Sequence, residues 1–283
     1  MTLYLRRFGR NRGALLGVAL FALLVLFSVL GDLFTHVAYT DADFTALTRP
    51  PGPSHWFGTN QGGNDVYAQA VHGLRRSLVI AVCVSVLTVV LAAVIGAGAA
   101  YLGGRVEKLT LAVIHFLLVV PSFLILALVS HRLAGDWRVL VLVLTVFGWM
   151  TTARVVWSLS TSLRERDYVL AAEFMGVRPW RIVARHIIPN LGSLLVVNLT
   201  LGVVATVLSE TALSFLGFGV QPPDVSLGTM LADGSGTITS APWLFAFPAG
   251  LLVLLTVSMT LVGDGLRDAL DPTSVSAASG GAR

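Results

Sequence analysis

Six long apolar runs divide this sequence, and they constrain its fold more than any other feature. They cover residues 13–34, 78–101, 110–131, 138–158, 191–213 and 243–263. Each run supplies the roughly 20 residues that an α-helix needs to cross the ~30 Å hydrocarbon core of a bilayer. The sequence therefore predicts an all-α integral membrane protein with six transmembrane helices.

The composition agrees with a membrane location. Only 12% of the residues are charged and 55% are hydrophobic, whereas a soluble domain carries about 25% charged residues. The net charge of +4 comes almost entirely from arginine, which is typical of loops beside a membrane. We therefore expect the lipid bilayer as a partner and no nucleic acid. Cys83 is the only cysteine, which excludes a disulfide framework and a cysteine-based metal site.

The first apolar run follows four arginines, a pattern that signal peptides share. Its uninterrupted core from Gly13 to Leu30 has 18 residues, more than the ~7–15 of a signal peptide, and no small-residue cleavage site follows it. We expect it to be retained as a membrane span.

The positive charges predict the orientation, because cytoplasmic loops are enriched in Lys and Arg. With the N-terminus inside, thirteen positive residues fall on the inner side and five on the outer side. This places both termini in the cytoplasm. The predicted organisation has three parts: a cytoplasmic segment 1–12, a six-helix domain 13–273 and a disordered tail 274–283. Within the six-helix domain we expect outer loops at 35–77 and 214–242 and a cytoplasmic loop at 159–190. A short separate helix is expected at 65–73, before the second span.

The cytoplasmic loop carries an unusual density of charge. Gly176 and Pro179 predict a tight corner between two short helices, at 165–175 and 179–188, because Gly is favoured after a helix end and Pro in a first turn. The second helix has a predicted apolar stripe formed by Trp180, Val183, Ala184 and Ile187. The pattern fits a docking surface and also fits amphipathic helices lying at the lipid headgroups.

Several motifs resemble one family of membrane proteins. They are Ala171–Ala172 with Gly176 and Pro189 at fixed distances, "GTNQGGNDVYAQAVHGLRRSL" from Gly58, "LRERDYV" from Leu163, "RHIIPNL" from Arg185, "SETALSFLGFGVQPP" from Ser209 and "GDGLRDALDP" from Gly263. These motifs, in the same order along the chain, resemble those of the dipeptide/oligopeptide/nickel permease family of ABC importers. Within that family they most resemble the second (C-type) of the two permease subunits.

This resemblance implies a type I ABC-importer transmembrane domain whose cytoplasmic loop holds a coupling helix for a separate ATPase. It implies these ATPase-coupling residues: Asp167, Tyr168, Ala171, Ala172, Glu173, Phe174, Gly176, Arg178, Arg181 and Pro189. The expected partners are a homologous permease subunit, two cytoplasmic ATPases and an extracytoplasmic binding protein, in a bacterial or archaeal plasma membrane. This sequence departs from the family's loop motif at Leu170, where the family has Glu, and at His186, where it has an apolar residue. Glu173 is a candidate substitute for the missing Glu. A smaller departure is Leu227 in the outer loop, where Trp is common.

The residues also limit what this chain does by itself. It has no G-x-x-x-x-G-K-[ST] phosphate loop, so we expect a non-catalytic subunit that binds no cofactor, with ATP and Mg on the partner ATPases. Gly96, Gly98, Gly103 and Gly104 indicate close helix packing or a turn and not a dinucleotide site. His115 has no second ligand at metal-binding spacing.

Glu210 is predicted near the outer end of the fifth span, where a charge needs a partner or water. It either lines the outer mouth of a translocation path or supports helix packing beside Ser209 and Thr211.

The substrate expected from the resemblance is a dipeptide or oligopeptide, with nickel chelates or haem as alternatives. Two functions of other classes are alternatives. A self-sufficient secondary transporter would require inverted repeats and broken helices, and these are not evident in the sequence. An intramembrane enzyme would require a nucleophile paired with a base, and no such pair is evident.

Overall fold

A computed structural model describes residues 6–121, 125 and 136–270. Within these ranges the regular structure is helical, apart from two isolated β-bridges. We number the helices α1 (Arg12–Leu30), α2 (Val66–Leu102), α3 (Gly104–Val119), α4 (Trp137–Arg164), α5 (Asp167–Phe174), α6 (Pro179–Ile182), α7 (Gly192–Phe215), α8 (Leu227–Ser235) and α9 (Trp243–Leu270). A π turn (Val183–Ile187) and a 3-10 turn (Ile188–Leu191) join α6 to α7.

Five helical segments in the described part of the chain are long and apolar enough to cross a membrane. They are Arg12–Phe34, Val66–Leu102, Trp137–Arg164, Pro179–Phe215 and Trp243–Leu270. They coincide with five of the six predicted spans. The third predicted span, 110–131, begins in α3, and most of its second half lies outside the described residues.

Helix α2 is longer than the sequence predicted. The separate helix expected at 65–73 is wrong, because Val66–Leu102 is one helix of 37 residues. Asp65 caps it by accepting a hydrogen bond from the Ala68 amide at 2.9 Å. Gly73 lies inside this helix, at a position where an added Cβ would lie 3.2 Å from the Ser226 backbone, so its small size serves packing. At 1.5 Å per residue α2 is about 55 Å long and exceeds the bilayer thickness.

The spans pack around α2, which contacts α1, α4, α7 and α8. One apolar cluster joins four helices through Leu24, Leu74, Val207 and Leu255, all buried. Close approach of α2 and α4 requires Gly96, because a Cβ there would lie 2.6 Å from the Ala153 carbonyl oxygen. This confirms the predicted packing role of that glycine.

The two ends of the bundle carry different structures. One end, here called the corner end, holds the start of α1, the turn at residues 103–104, the segment 165–191 and the end of α9. Hydrogen bonds join these parts, from Asn11 to Asp268 (3.3 Å) and from Arg164 to the Ala100 carbonyl oxygen (3.3 Å). The start of α1 and the end of α9 therefore share one side of the bundle, as the predicted six-span topology requires. The other end, called the opposite end, holds residues 31–65 and 216–242.

Residues 35–65 at the opposite end form an irregular segment, as predicted. Local turns shape it: Asp43 accepts hydrogen bonds from the Thr45 hydroxyl (2.6 Å) and amide (2.8 Å), and the hydroxyl bond lowers the pKa of the Asp43 carboxyl. The Trp243 indole nitrogen donates to the Thr59 carbonyl oxygen (3.4 Å). This contact fixes the segment against the start of α9.

Candidate coupling segment and docking surface

The segment 165–191 folds as two helices joined by a tight corner. Helix α5 ends at Phe174, and the amides of Gly176 and Val177 donate to the carbonyl oxygens of Glu173 (2.9 Å) and Ala172 (3.1 Å). Gly176 has a φ of +73°, in the left-handed region, which closes a helix C-terminus and favours glycine. Pro179 then occupies the first turn of α6. The predicted corner is confirmed.

The second helix differs from its prediction in length and in buried face. It does not end at 188, because the π turn and the 3-10 turn continue it into α7. Ile182 and Ile187 are fully buried, whereas Trp180 and Ala184, two members of the predicted stripe, are exposed. The predicted stripe assumed 3.6 residues per turn. The wider π turn changes the phase of the helix, so that the two buried isoleucines are five positions apart.

The inner side of the segment packs on the ends of α2 and α4. Val169, Ala172, Ile182 and Ile187 form one buried cluster that also includes Ala97, Tyr101, Val156 and Leu191. Ala172 is only 2% exposed, so it contacts this chain's own helices and is not open to a partner that approaches from outside. The corner is therefore held rigidly on the transmembrane helices.

The outer side of the corner exposes large apolar side chains. Phe174 is 89% exposed and Trp180 61%, with Met175 between them in the sequence. The Arg181 guanidinium lies 5.1 Å from the centre of the Trp180 ring, within cation–π range. We define the corner surface as Phe174, Met175, Arg178, Trp180 and Arg181. Exposed apolar patches bordered by polar groups are typical of interaction sites.

The other residues that the resemblance assigned to coupling belong to the same segment and are mostly exposed. Exposed positions are Asp167, Tyr168, Ala171, Glu173, Gly176 and Pro189, and Ala172 is the buried exception. Leu170, where the family motif has Glu, and Glu173, its candidate substitute, are both exposed. Sequence reasoning did not assign Met175 or Trp180 to the coupling set; the signal available was their large apolar character beside the corner glycine and proline.

Replacing Gly176 tests the corner geometry. Gly176→Ala is expected to cost about 1–2 kcal/mol because alanine is strained in the left-handed region, whereas the added Cβ itself would meet no heavy atom within 4 Å. Gly176→Asn should cost less, since asparagine tolerates this conformation. Thermal unfolding and limited proteolysis of the purified variants measure the difference. Equal losses in both variants would contradict the strain explanation.

Glu210 lies inside the bundle and not at an accessible mouth. It is 1% exposed, and its Oε1 accepts hydrogen bonds from the hydroxyls of Ser214 (2.8 Å) and Ser226 (2.6 Å). These bonds join α7 to the cap of α8. The structure thus supports the packing alternative, with Ser214 and Ser226 as the hydrogen-bond partners in place of the expected Ser209 and Thr211.

Gly228 provides a test of this buried contact. A Cβ at position 228 would lie 2.8 Å from both Glu210 Oε1 and Ser214 Oγ, so Gly228→Ala is expected to destabilise the protein by about 1–3 kcal/mol through overpacking. Gly98→Ala in α2 is the control, because its Cβ would meet nothing within 4 Å. Thermal unfolding in detergent compares them. An unchanged melting temperature for Gly228→Ala would contradict the packing described.

A second polar cluster holds the opposite end together. The Asp224 carboxylate pairs with His72 Nε2 and Arg76 Nε, each at 2.7 Å, and the Tyr39 ring stacks on His72 at 3.7 Å. Arg75 pairs with Asp32 at 2.7 Å. Arg75 and Arg76 lie on the predicted outer side against the charge rule, and these ion pairs explain their position.

Comparison with known proteins agrees with the architecture and the motifs. Residues 89–275 match the family described as "Binding-protein-dependent transport system inner membrane component", and residues 2–51 match the "N-terminal TM domain of oligopeptide transport permease C". The chain is 47% identical over 275 residues to the oligopeptide transport system permease protein OppC of Mycobacterium tuberculosis, covering 96% of this chain and 94% of that protein.

Two relatives from Bacillus subtilis are each 34% identical to this chain over 94% of its length. They are its OppC, covered over 87%, and its dipeptide transport system permease protein DppC, covered over 84%. The resemblance found in the motifs is thereby confirmed. The chain belongs to the family of binding-protein-dependent transport system inner membrane components, and within it to the C-type permease subunits.

Proposed function

We propose that this chain forms half of the translocation pathway of an ATP-driven importer for dipeptides and oligopeptides. The observation that carries the proposal is the corner surface: exposed aromatic side chains on a segment that is packed rigidly against the ends of two spans. The peptide class is supported by the oligopeptide and dipeptide permeases that the chain resembles.

The corner surface has the composition of a protein interface. Interfaces concentrate their binding energy in a few Trp, Tyr and Arg residues and place them in pockets of the partner. Phe174 and Trp180 supply aromatic anchors, and Arg178 and Arg181 supply a basic rim. The sequence has no phosphate loop of its own, so the partner on this surface would be the ATPase, with ATP and Mg bound there.

The charge distribution supports a cytoplasmic corner end. Thirteen of the nineteen positive residues fall on the side predicted to be inner, and this is the side that the positive-inside rule places in the cytoplasm. The binding protein would then dock at the opposite end, on residues 31–65 and 216–242. A homologous permease would complete the pathway in the plasma membrane of a bacterium or archaeon.

Reconstitution tests the proposed function. Proteoliposomes that contain this chain, the second permease subunit and the ATPases, with binding protein outside, are expected to accumulate a labelled peptide only when ATP is supplied to the ATPases. Nickel chelate and haem serve as alternative cargoes. Peptide uptake that follows an imposed ion gradient without ATP would show a secondary transporter and reject the proposal.

A further inference from the structure

A groove of about 480 Å³ runs along α2, α4 and α7 within the membrane-spanning part of the bundle. Its wall combines apolar side chains with an unusual set of polar ones. The polar lining residues are Thr88, Thr151, Thr152, Asn198, Thr206 and Ser209. None of the residues that line it is ionisable.

Polar side chains at this depth indicate that the groove does not face lipid. Helix α1 shows what a lipid-facing surface of this protein is made of, because its exposed side chains include Leu15, Leu23 and Leu26 and its single serine, Ser28, is buried. By contrast, Thr151 and Ser209 are exposed in the groove. Polar groups in spans face a water-filled cavity or another protein segment, because hydrocarbon offers them no hydrogen-bond partners.

The polar lining positions on α7 lie along one face of that helix, here called the track. Asn198 and Ser209 are eleven residues apart on the same helix, which is about 16 Å along its axis. Small residues between them keep the track open. Ala205 is exposed. Gly202 packs beside Ser85, and a Cβ added at position 202 would lie 3.2 Å from the Ser85 Oγ, so a larger side chain does not fit there. An extended chain rises about 3.3 Å per residue, so the track matches about five residues of a peptide.

We infer that this groove is the surface along which the peptide main chain passes, and that it recognises amide groups and not side-chain charge. The hydroxyls of Thr151, Thr152 and Ser209 can both donate and accept hydrogen bonds, so they match a peptide backbone in any register. Asn198 offers its carbonyl oxygen as an acceptor, because its amide nitrogen donates to the Leu194 carbonyl oxygen (2.9 Å). A fixed charge in a low-dielectric groove would hold peptides of opposite charge and repel others. The uncharged lining predicts passage of acidic, basic and neutral peptides alike. This inference rests on the proposed function.

Cysteine accessibility tests the surface directly. In a Cys83→Ala background, which removes the only thiol of this chain, the chain carries Ala205→Cys, Thr151→Cys or, as a control, Leu23→Cys, and labelling of this chain is measured in the assembled transporter. A membrane-impermeant methanethiosulfonate is expected to label positions 205 and 151, with labelling slowed by an excess of a pentapeptide substrate. The Leu23→Cys control should stay unlabelled, since it lies on the apolar face of α1. Labelling at 205 and 151 that the peptide does not slow would overturn the inference.

Uptake measurements provide a second, independent test of the groove. Ala205→Trp, which fills the groove, is expected to lower ATP-driven peptide uptake roughly tenfold or more by steric exclusion, while Leu23→Trp retains wild-type uptake. Thr151→Asp should slow acidic peptides more than basic ones. ATP-dependent uptake that is unaffected by both groove variants would reject the groove assignment alone. ATP-independent uptake by the unmodified transporter would instead reject the proposed function.

Discussion

Replacing Trp180 with alanine is expected to weaken binding of the ATPase subunit by about 30-fold or more. Truncating a central interface tryptophan typically costs about 2 kcal/mol or more, and each 1.4 kcal/mol is a tenfold change in affinity. The free protein should lose little stability, because the Trp180 ring is 61% exposed and buries little of its surface in this chain. Titration of the purified ATPase against the permease in nanodiscs measures the affinity.

Trp56→Ala is the matched control for this experiment. Trp56 has a similar exposure, 53%, but lies in the 31–65 segment at the opposite end of the bundle. The account predicts unchanged ATPase affinity for Trp56→Ala and reduced affinity for Trp180→Ala. Equal ATPase affinity in both variants would mean that the corner surface lies on lipid headgroups, which is the alternative that amphipathic patterning also allows.

The second large effect is expected for Ala172→Asp. Ala172 is 2% exposed and packs in the cluster that contains Val169, Ile182 and Ile187. An unpaired carboxylate there would cost roughly 3–5 kcal/mol, the range measured when a buried charge loses its partner. We expect the corner to separate from α2 and α4, so that both thermal stability and ATPase binding decrease. Proteolysis within 165–191 measures the separation of the corner, and thermal unfolding measures the loss of stability.

The neighbouring residue supplies the control for this substitution. Ala171 precedes Ala172 in the same helix but is exposed, so Ala171→Asp introduces the same charge without burial and should keep the melting temperature of the unmodified chain. If the two aspartate variants unfold at the same temperature, the packing of Ala172 does not hold the corner in place.

The apolar runs were sufficient to predict most of the architecture, because the requirement for a span is length and hydrophobicity alone. The corner was equally predictable, since Gly176 and Pro179 have strong local preferences. The continuity of α2 through Gly73 was not predicted, because glycine is a weak helix former and the Ser226 backbone against which it packs is distant in sequence. The buried face of the helix that begins with α6 was predicted wrongly, because the π turn that follows α6 has no simple sequence signature.

Buried polar contacts were the least predictable features. From the sequence, Glu210 could either line the pathway or support helix packing, because a carboxylate in a span needs water or a partner. Its hydrogen-bond partners, Ser214 and Ser226, include a residue from the loop before α8, and only the fold brings them together. The pair between Arg76 and Asp224 joins residues that are much farther apart in sequence, and it explains a charge that the positive-inside rule alone leaves unexplained.

The most direct test of the account is the position of the ATPase on this chain. In membranes that contain all subunits, single cysteines replace Phe174 at the corner and Phe44 at the opposite end, in a Cys83→Ala background. Both phenylalanines are largely exposed, at 89% and 78%, so reactivity is matched. A thiol-to-amine cross-linker is predicted to join the ATPase to position 174 and not to position 44. Cross-linking of the ATPase at position 44, or at neither position in an assembled complex, would contradict the account.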